Sequence, residues 1–277
     1  MFKQFVRAEI AAGLDETYQF EDWEAAHPGR GYHDVHVAVI QERETCVPTL
    51  RRVLGATPLR ILESGCGSGR WVAFLERLGH RVVGLDDSAA PLAVARRHDP
   101  AMRLVRGDVV SAPFRGGSFD VVFSSYVAEH FEDGPRALFD EIRRLLVPGG
   151  RLLLIVPCDN PFRRLLTDRA LQAFYAVCRL RRRPLAFTEY RFRPTEMTAL
   201  LGAAGFRVEH CEPDDFRHPW AKGLSLDLGP LVRPRGAPPG TWELNPAGRA
   251  LSRLLNGLSP WAACAGALFV ARAEERP

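Results

Sequence analysis

"ILESGCGSGRW", Ile61 to Trp71, joins an apolar run to a helical pattern through three glycines. Gly65, Gly67 and Gly69 alternate with other residues, and Glu63 stands two places before the first. Glycine-rich turns between a strand and a helix cradle nucleotides of several kinds. Gly65 and Gly67 let the backbone approach a ligand closely, and Gly69 lets the following helix pack tightly. A dinucleotide fingerprint starting at Gly65 needs its third glycine at position 70, where Arg70 stands. A phosphate loop needs Gly-Lys-Ser/Thr, which does not follow. Glu63 discriminates further, because a carboxylate before the loop repels phosphate and attracts an ammonium group.

Outward from this loop, strand and helix patterns alternate. Strands are expected at Leu59–Leu62, Arg81–Leu85, Met102–Val105, Phe119–Phe123 and Arg151–Val156. Helices are expected at Arg70–Leu78, from Ser88 to about His98 with Pro91 in the first turn, and at Pro135–Leu146 before Pro148-Gly149-Gly150. Continuously apolar strands separated by helices predict a parallel sheet covered on both faces. Upstream, residues 1–57 read as a partly helical, amphipathic extension, with one helical pattern over Val37–Leu54. Beyond Pro157 the rhythm breaks. A basic amphipathic helix is expected over Phe162–Leu180, a helix at Pro194–Ala204 and a strand at Phe206–His210. A Pro- and Gly-rich excursion covers 212–243, followed by a helix at Pro246–Leu258 and a last apolar strand at Ala265–Ala271.

The bulk composition, 46% hydrophobic and 25% charged, is that of a soluble globular chain. A formal charge of +4 is mild for a nucleic-acid binder, and no DNA partner is expected. The six cysteines match no zinc spacing and read as reduced thiols of a cytoplasmic protein. No signal-peptide pattern opens the chain, and the longest apolar run, Trp261–Ala271, is too short to span a bilayer.

The strand ends supply the remaining ligand contacts. Asp86 ends "VVGLDDS", 21 residues after Gly65, where an acid accepts hydrogen bonds from both ribose hydroxyls. In "RGDV", Asp108 can accept from an exocyclic amine and Val109 can offer its N–H to a ring nitrogen. Adenine, ribose and a cationic amino-acid tail describe S-adenosylmethionine. On "ESGCGSG", "GLDDS", "GDV", "FDVVFSSYVAEHFED" and "LVPGGRLLLIVP", the chain resembles the class I S-adenosylmethionine-dependent methyltransferases, type 11 in particular. "RFRPTEMTALLGAAGFRV" is similar to that family's helix and sixth strand.

The resemblance implies a Rossmann-like α/β fold. Its seven-stranded, mostly parallel sheet would have helices on both faces and an antiparallel last strand. It implies a cofactor domain over 58–277, with a basic helical insertion at 158–193 and the excursion at 212–243. The segment 1–57 becomes a helical lid. Glu63 would contact the methionine amine, the Gly65-Cys66-Gly67 loop would wrap the methionine, and Cys66 would give backbone contacts only. Asp86 would hold the ribose, Asp87 would lie beside adenine, Asp108 would bind the adenine amine, and Ser124 would join the cofactor site at the fourth strand's exit. Asp87 and Asp108 can instead be plain turn acids.

His130, just past that exit, is the candidate general base. It can instead brace the loop, and His33 and His36 are rival bases beside the potential pocket walls Trp23 and Tyr32. Glu129 and His130 have no evident third ligand, so no metal is expected. "DNPF", Asp159–Phe162, has one proline and follows the wrong strand for the [DN]PP[YF] motif of nucleic-acid amino methyltransferases. Arg163–Arg193 carries nine Arg against Asp168 and Glu189. That segment can be a solvated face, a surface for an anionic substrate or membrane headgroups, or an RNA contact. The expected reaction is methyl transfer to a small or lipid-like acceptor, at oxygen. The rival readings are an RNA or protein methyltransferase and a non-catalytic cofactor-binding protein. Glu63 and Arg70 argue against a nicotinamide oxidoreductase.

Overall fold

A computed structural model describes residues 1–7, 31–216, 221–236 and 243–274. In chain order the elements are β1 (Phe2–Arg7), α1 (Tyr32–Arg43), α2 (Val47–Leu54), β2 (Arg60–Ser64), α3 (Arg70–Arg77), β3 (Arg81–Asp86) and α4 (Ala89–His98). There follow β4 (Leu104–Arg106), β5 (Phe119–Ser125), α5 (Arg136–Leu145), β6 (Leu146–Pro157), α6 (Asp168–Leu180), β7 (Leu185–Arg191) and α7 (Pro194–Ala203). The last are β8 (Phe206–Asp214), α8 (Lys222–Leu228), α9 (Pro246–Leu258) and β9 (Gly266–Ala273).

Seven strands form one sheet in the order β4-β3-β2-β5-β6-β9-β8. The first five are parallel, and β9 runs antiparallel to both β6 and β8. This is the mostly parallel architecture expected from the alternation of apolar strands and helices. The order reverses beside β2, which pairs with β3 on one side and β5 on the other, with Glu63 opposite Gly84 and Phe123. Ligand crevices of open α/β sheets lie at that reversal, outside the carboxyl ends of the strands.

Both faces of the sheet are covered, as β6 shows residue by residue. Leu153 and Ile155 join a core with Ile40, Leu50, Trp71, Phe74 and Phe123. Leu152, Leu154 and Val156 join another with Leu138, Phe139, Ile142, Met197 and Leu201. The period of two along a strand sends alternate side chains to opposite cores, which is why this stretch is apolar throughout.

Several elements differ from their sequence expectation. The Val37–Leu54 pattern is two helices, broken at Thr45 and Cys46. Pro48 has no N–H to continue the first helix, and at the break the Asp214 carboxylate accepts from Thr45 Oγ1 at 2.7 Å and from the Cys46 N–H at 3.0 Å. Residues 2–7 are not helical but form β1, paired antiparallel with β7, a strand inside the basic insertion. β8 continues to Asp214, past its expected end at His210 and into the excursion. It is the outermost strand of the sheet, the position where Pro213 is tolerated. The basic helix opens with a π-turn over Arg163–Thr167. Buried ion pairs fix the insertion to the body: Arg163 Nε to Asp227 at 2.8 Å and Arg191 Nη1 to Asp168 at 3.1 Å.

Candidate active site

The glycine loop leaves β2 and is bonded at once to the neighbouring strand. The N–H groups of Gly65 and Cys66 both donate to the Leu85 carbonyl, at 2.8 and 2.9 Å. Gly65 has φ +80°, and a Cβ there would collide with the Val127 side chain. Gly67 has φ +51° with nothing within 4 Å of an added Cβ, so its open side faces space rather than protein. Asp86 ties the loop to the next helix. Its Oδ2 accepts from the Gly67 N–H at 2.7 Å and its Oδ1 from the Ser88 N–H at 2.9 Å. A carboxylate has about four acceptor sites, so both oxygens keep lone pairs for ligand hydroxyls.

These residues surround a cavity of about 500 Å³, lined by Gly65, Gly67, Asp86, Asp87, Pro91, Val109, Tyr126, Val127, His130 and Phe131. The volume lies in the range of small-molecule sites, and the wall is largely apolar with a few polar groups. Five of the expected cofactor residues, together with His130, thus share one wall.

The other four expected residues lie outside that wall. Glu63 is buried behind the loop. One of its oxygens meets the Val72 N–H in the first turn of α3, and Oε2 is buried with no partner. Burial pushes its carboxyl well above the usual range, against the opposing pull of Arg70. Arg70 itself is held by Glu44 at 2.6 Å. Cys66 is buried, packs against Gly84, and has a thiol pushed up by burial. Asp108 is exposed, and its Oδ1 accepts from the Val110 N–H at 2.9 Å, which is the geometry of a turn acid. Ser124 is fully buried and donates to the Ser64 carbonyl at 3.2 Å, bracing β5 against β2.

His130 sits in a short turn over Ala128–His130, after the β5 exit. Its Nδ1 lies 3.0 Å from the Thr188 carbonyl of β7. The β1–β7 hairpin is fixed against this loop by Lys3 to Glu132 at 2.8 Å and by the Tyr190 hydroxyl to the Glu132 carbonyl at 2.8 Å. His130 Nε2 is 3.9 Å from Oε1 of Glu129, a buried acid whose carboxyl burial pushes well up.

Tyr126, Val127 and Phe131 were not singled out from sequence. Tyr126 takes φ +58°, and its hydroxyl is buried without a partner. Lys222 Nζ sits 4.5 Å from its ring centroid. Aromatic residues at a strand exit were the available signal, but their facing depends on the positive-φ turn. Of the rival residues, Trp23 and the side chains of Tyr32 and His33 lie outside the described residues. His36 is on α1 and is not part of the cavity wall.

A family described as a methyltransferase domain, type 11, matches residues 62–154. The demethylmenaquinone methyltransferase of Thermus thermophilus is 31% identical over 179 residues, covering 57% of this chain and 78% of that protein. The 2-phytyl-1,4-naphtoquinone methyltransferase of Thermosynechococcus vestitus is 39% identical over 119 residues, covering 41% of this chain and 51% of its own length. With several further curated relatives, too, the match spans about half of their length. An S-adenosylmethionine-dependent methyltransferase structure from Mesorhizobium loti shares the fold, with a TM-score of 0.52 at 21% identity over 82% of this chain and 97% of that one. The chain belongs to the class I S-adenosylmethionine-dependent methyltransferase family.

S-adenosylmethionine is the cofactor of that family, and two features of the site fit it. The buried, unpartnered Glu63 Oε2 is a group that a cationic amine would satisfy. The bare side of Gly67 leaves room for close backbone contact.

Proposed function

We propose that the protein methylates a small or lipid-like acceptor at oxygen, with His130 as general base. When bound, S-adenosylmethionine supplies a methyl group already activated by its sulfonium. The protein's part is to align the acceptor, exclude water and take up a proton. Alignment alone contributes on the order of 7–11 kcal/mol in well-oriented reactions. In this reading Gly65 and Gly67 hold the methionine part by backbone, Glu63 balances the amine, Asp86 holds the ribose, and Asp87 and Val109 flank the adenine. Asp108 and Ser124 act as supports of the wall.

The observation that carries the base assignment is the 3.0 Å contact from His130 Nδ1 to the Thr188 carbonyl. A carbonyl can only accept, so in the neutral ring the proton sits on Nδ1. Nε2 then holds the lone pair, which is the tautomer a general base needs. A hydroxyl acceptor must lose its proton as it attacks, so a base at the cavity wall suits oxygen better than a neutral nitrogen. Val127 and Phe131 in the cavity wall suit an apolar acceptor. The names of the relatives, demethylmenaquinone and malonyl-[acyl-carrier protein] methyltransferases among them, support an acceptor that is small or lipid-like.

The test is methyl-labelled S-adenosylmethionine with a panel of prenylated quinols, long-chain phenols, acyl-carrier thioesters, RNA and protein. Label recovered as an O-methyl group on a lipid-like acceptor is expected. Label on RNA or protein, or at ring carbon, contradicts the reading.

A further inference from the structure

The basic insertion is built inside out. α6 turns polar groups inward: Asp168 pairs with buried Arg191, and the Tyr175 hydroxyl exchanges hydrogen bonds with the N–H and carbonyl of Phe5 at 3.0 and 3.1 Å. Arg163, in the turn before it, is 2% exposed and bonded to Asp227. Its apolar residues point outward instead. Leu166 is 58% exposed, Phe174 46% and Leu180 84%, with Leu165 and Val177 also open. Ala170, Ala173, Phe174 and Val177 follow the i, i+3, i+4, i+7 spacing of one helix face, and all four are solvent-facing. The 13 residues of α6 make a ridge about 20 Å long.

Cations frame this ridge. Arg164, Arg169, Arg179, Arg181, Arg182 and Arg183 are exposed, and among the described residues none of them forms an ion pair. We propose that α6 and its preceding turn seat the protein on an anionic lipid surface, with the apolar ridge in the acyl boundary and the guanidiniums among the headgroups.

Two arguments select lipid over other occupants. RNA would match the arginines but offers no hydrocarbon to cover Leu166, Phe174 and Leu180. A second copy packed ridge to ridge about a two-fold axis would oppose the same unpaired guanidiniums to one another. An acidic bilayer satisfies both components together. Among the described residues no helix is long and apolar enough to cross a membrane, so the contact is interfacial. The ridge is also coupled to the cavity. The chain leaving α6 becomes β7, whose Thr188 carbonyl holds His130. The inference concerns attachment and stands whether or not the acceptor is a lipid.

The test is co-sedimentation of the full chain with phosphatidylcholine vesicles and with phosphatidylcholine–phosphatidylglycerol vesicles, at low and high salt. Binding to the anionic vesicles that weakens with salt is expected. Leu166→Glu with Phe174→Glu should reduce it by about tenfold or more, from lost apolar burial. Arg181→Gln, Arg182→Gln and Arg183→Gln together should reduce it on anionic vesicles only. All these positions are exposed, so the melting temperature and S-adenosylmethionine affinity should stay at the parent's values, and a variant that lost either would be replaced by Leu180→Gln. No vesicle binding by the parent overturns the proposal. So does binding indifferent to the ridge substitutions, RNA retention that survives them, or a dimer that they dissolve.

Discussion

His130 Nδ1 lies 3.0 Å from the carbonyl oxygen of Thr188, 58 residues further along the chain. A strand of the insertion thereby sets the tautomer of a side chain at the cavity wall. If His130 is the base, His130→Ala lowers kcat toward the acceptor on the order of 10²–10⁴-fold. The affinity for S-adenosylmethionine stays unchanged, because the cofactor contacts lie on other residues. Single-turnover methyl transfer with parallel binding titration checks this. An unchanged kcat would return His130 to a bracing role.

Gly65 joins backbone need to steric need. Its φ of +80° costs a non-glycine residue about 1–2 kcal/mol, and a Cβ would also strike Val127, whose branched side chain has little freedom to turn away. Gly65→Ala should lower the melting temperature and weaken S-adenosylmethionine binding at least about tenfold. Adding Val127→Ala removes the collision but not the strained φ, so recovery should be partial. Full recovery would mean that backbone conformation contributes nothing.

The end of β8 predicts a pH dependence of stability. Burial, then neighbouring Glu44, raises the Asp214 carboxyl to about 6. Burial, opposed by Lys222, raises Asp215 to about 7. Ordinary carboxyls of the unfolded chain titrate near 4, so between about pH 4 and pH 7 the folded state holds protons that unfolding releases. Their contribution to stability is present below that window and is lost as pH rises through it. Melting temperature should therefore fall from about pH 4 to about pH 7 through these groups. Asp215→Asn should make the fall shallower. An equally steep fall in the variant would remove Asp215 from the account.

The parts of the fold visible in sequence are those made by local pattern. β2, β3, β5 and β6 are apolar runs, the first two closed by glycine or acid, and the Gly65–Gly69 loop announces the site between them. What was hidden depends on contacts far along the chain. β7, "LAFTEYR", is half-buried over most of its length, and its partner β1 lies about 180 residues away, so no local period marks either strand. At the break between α1 and α2, Pro48 is a local signal, whereas the bond from Cys46 N–H to Asp214, 168 residues away, is not. In the site, Asp86 and His130 were legible as residue types at strand tips. The Thr188 carbonyl and the positive-φ turn at Tyr126 were not, because a backbone oxygen and a dihedral angle have no letter in the sequence. The same limit applies to Asp108 and Ser124. Position at a strand end suggests a ligand contact for both, and the bonds they also make within the protein have no mark in the sequence.

The central claim is that the crevice between β2, β3 and β5 receives an adenosyl group with a cationic tail rather than a dinucleotide. Calorimetry of the purified protein with S-adenosylmethionine, S-adenosylhomocysteine and NAD tests it most directly. Micromolar binding of the first two and none of NAD is expected, with loss of both on Asp86→Ala, which removes the acceptor of the Gly67 and Ser88 N–H groups. Tight NAD binding, or S-adenosylmethionine affinity unaffected by Asp86→Ala, would contradict it.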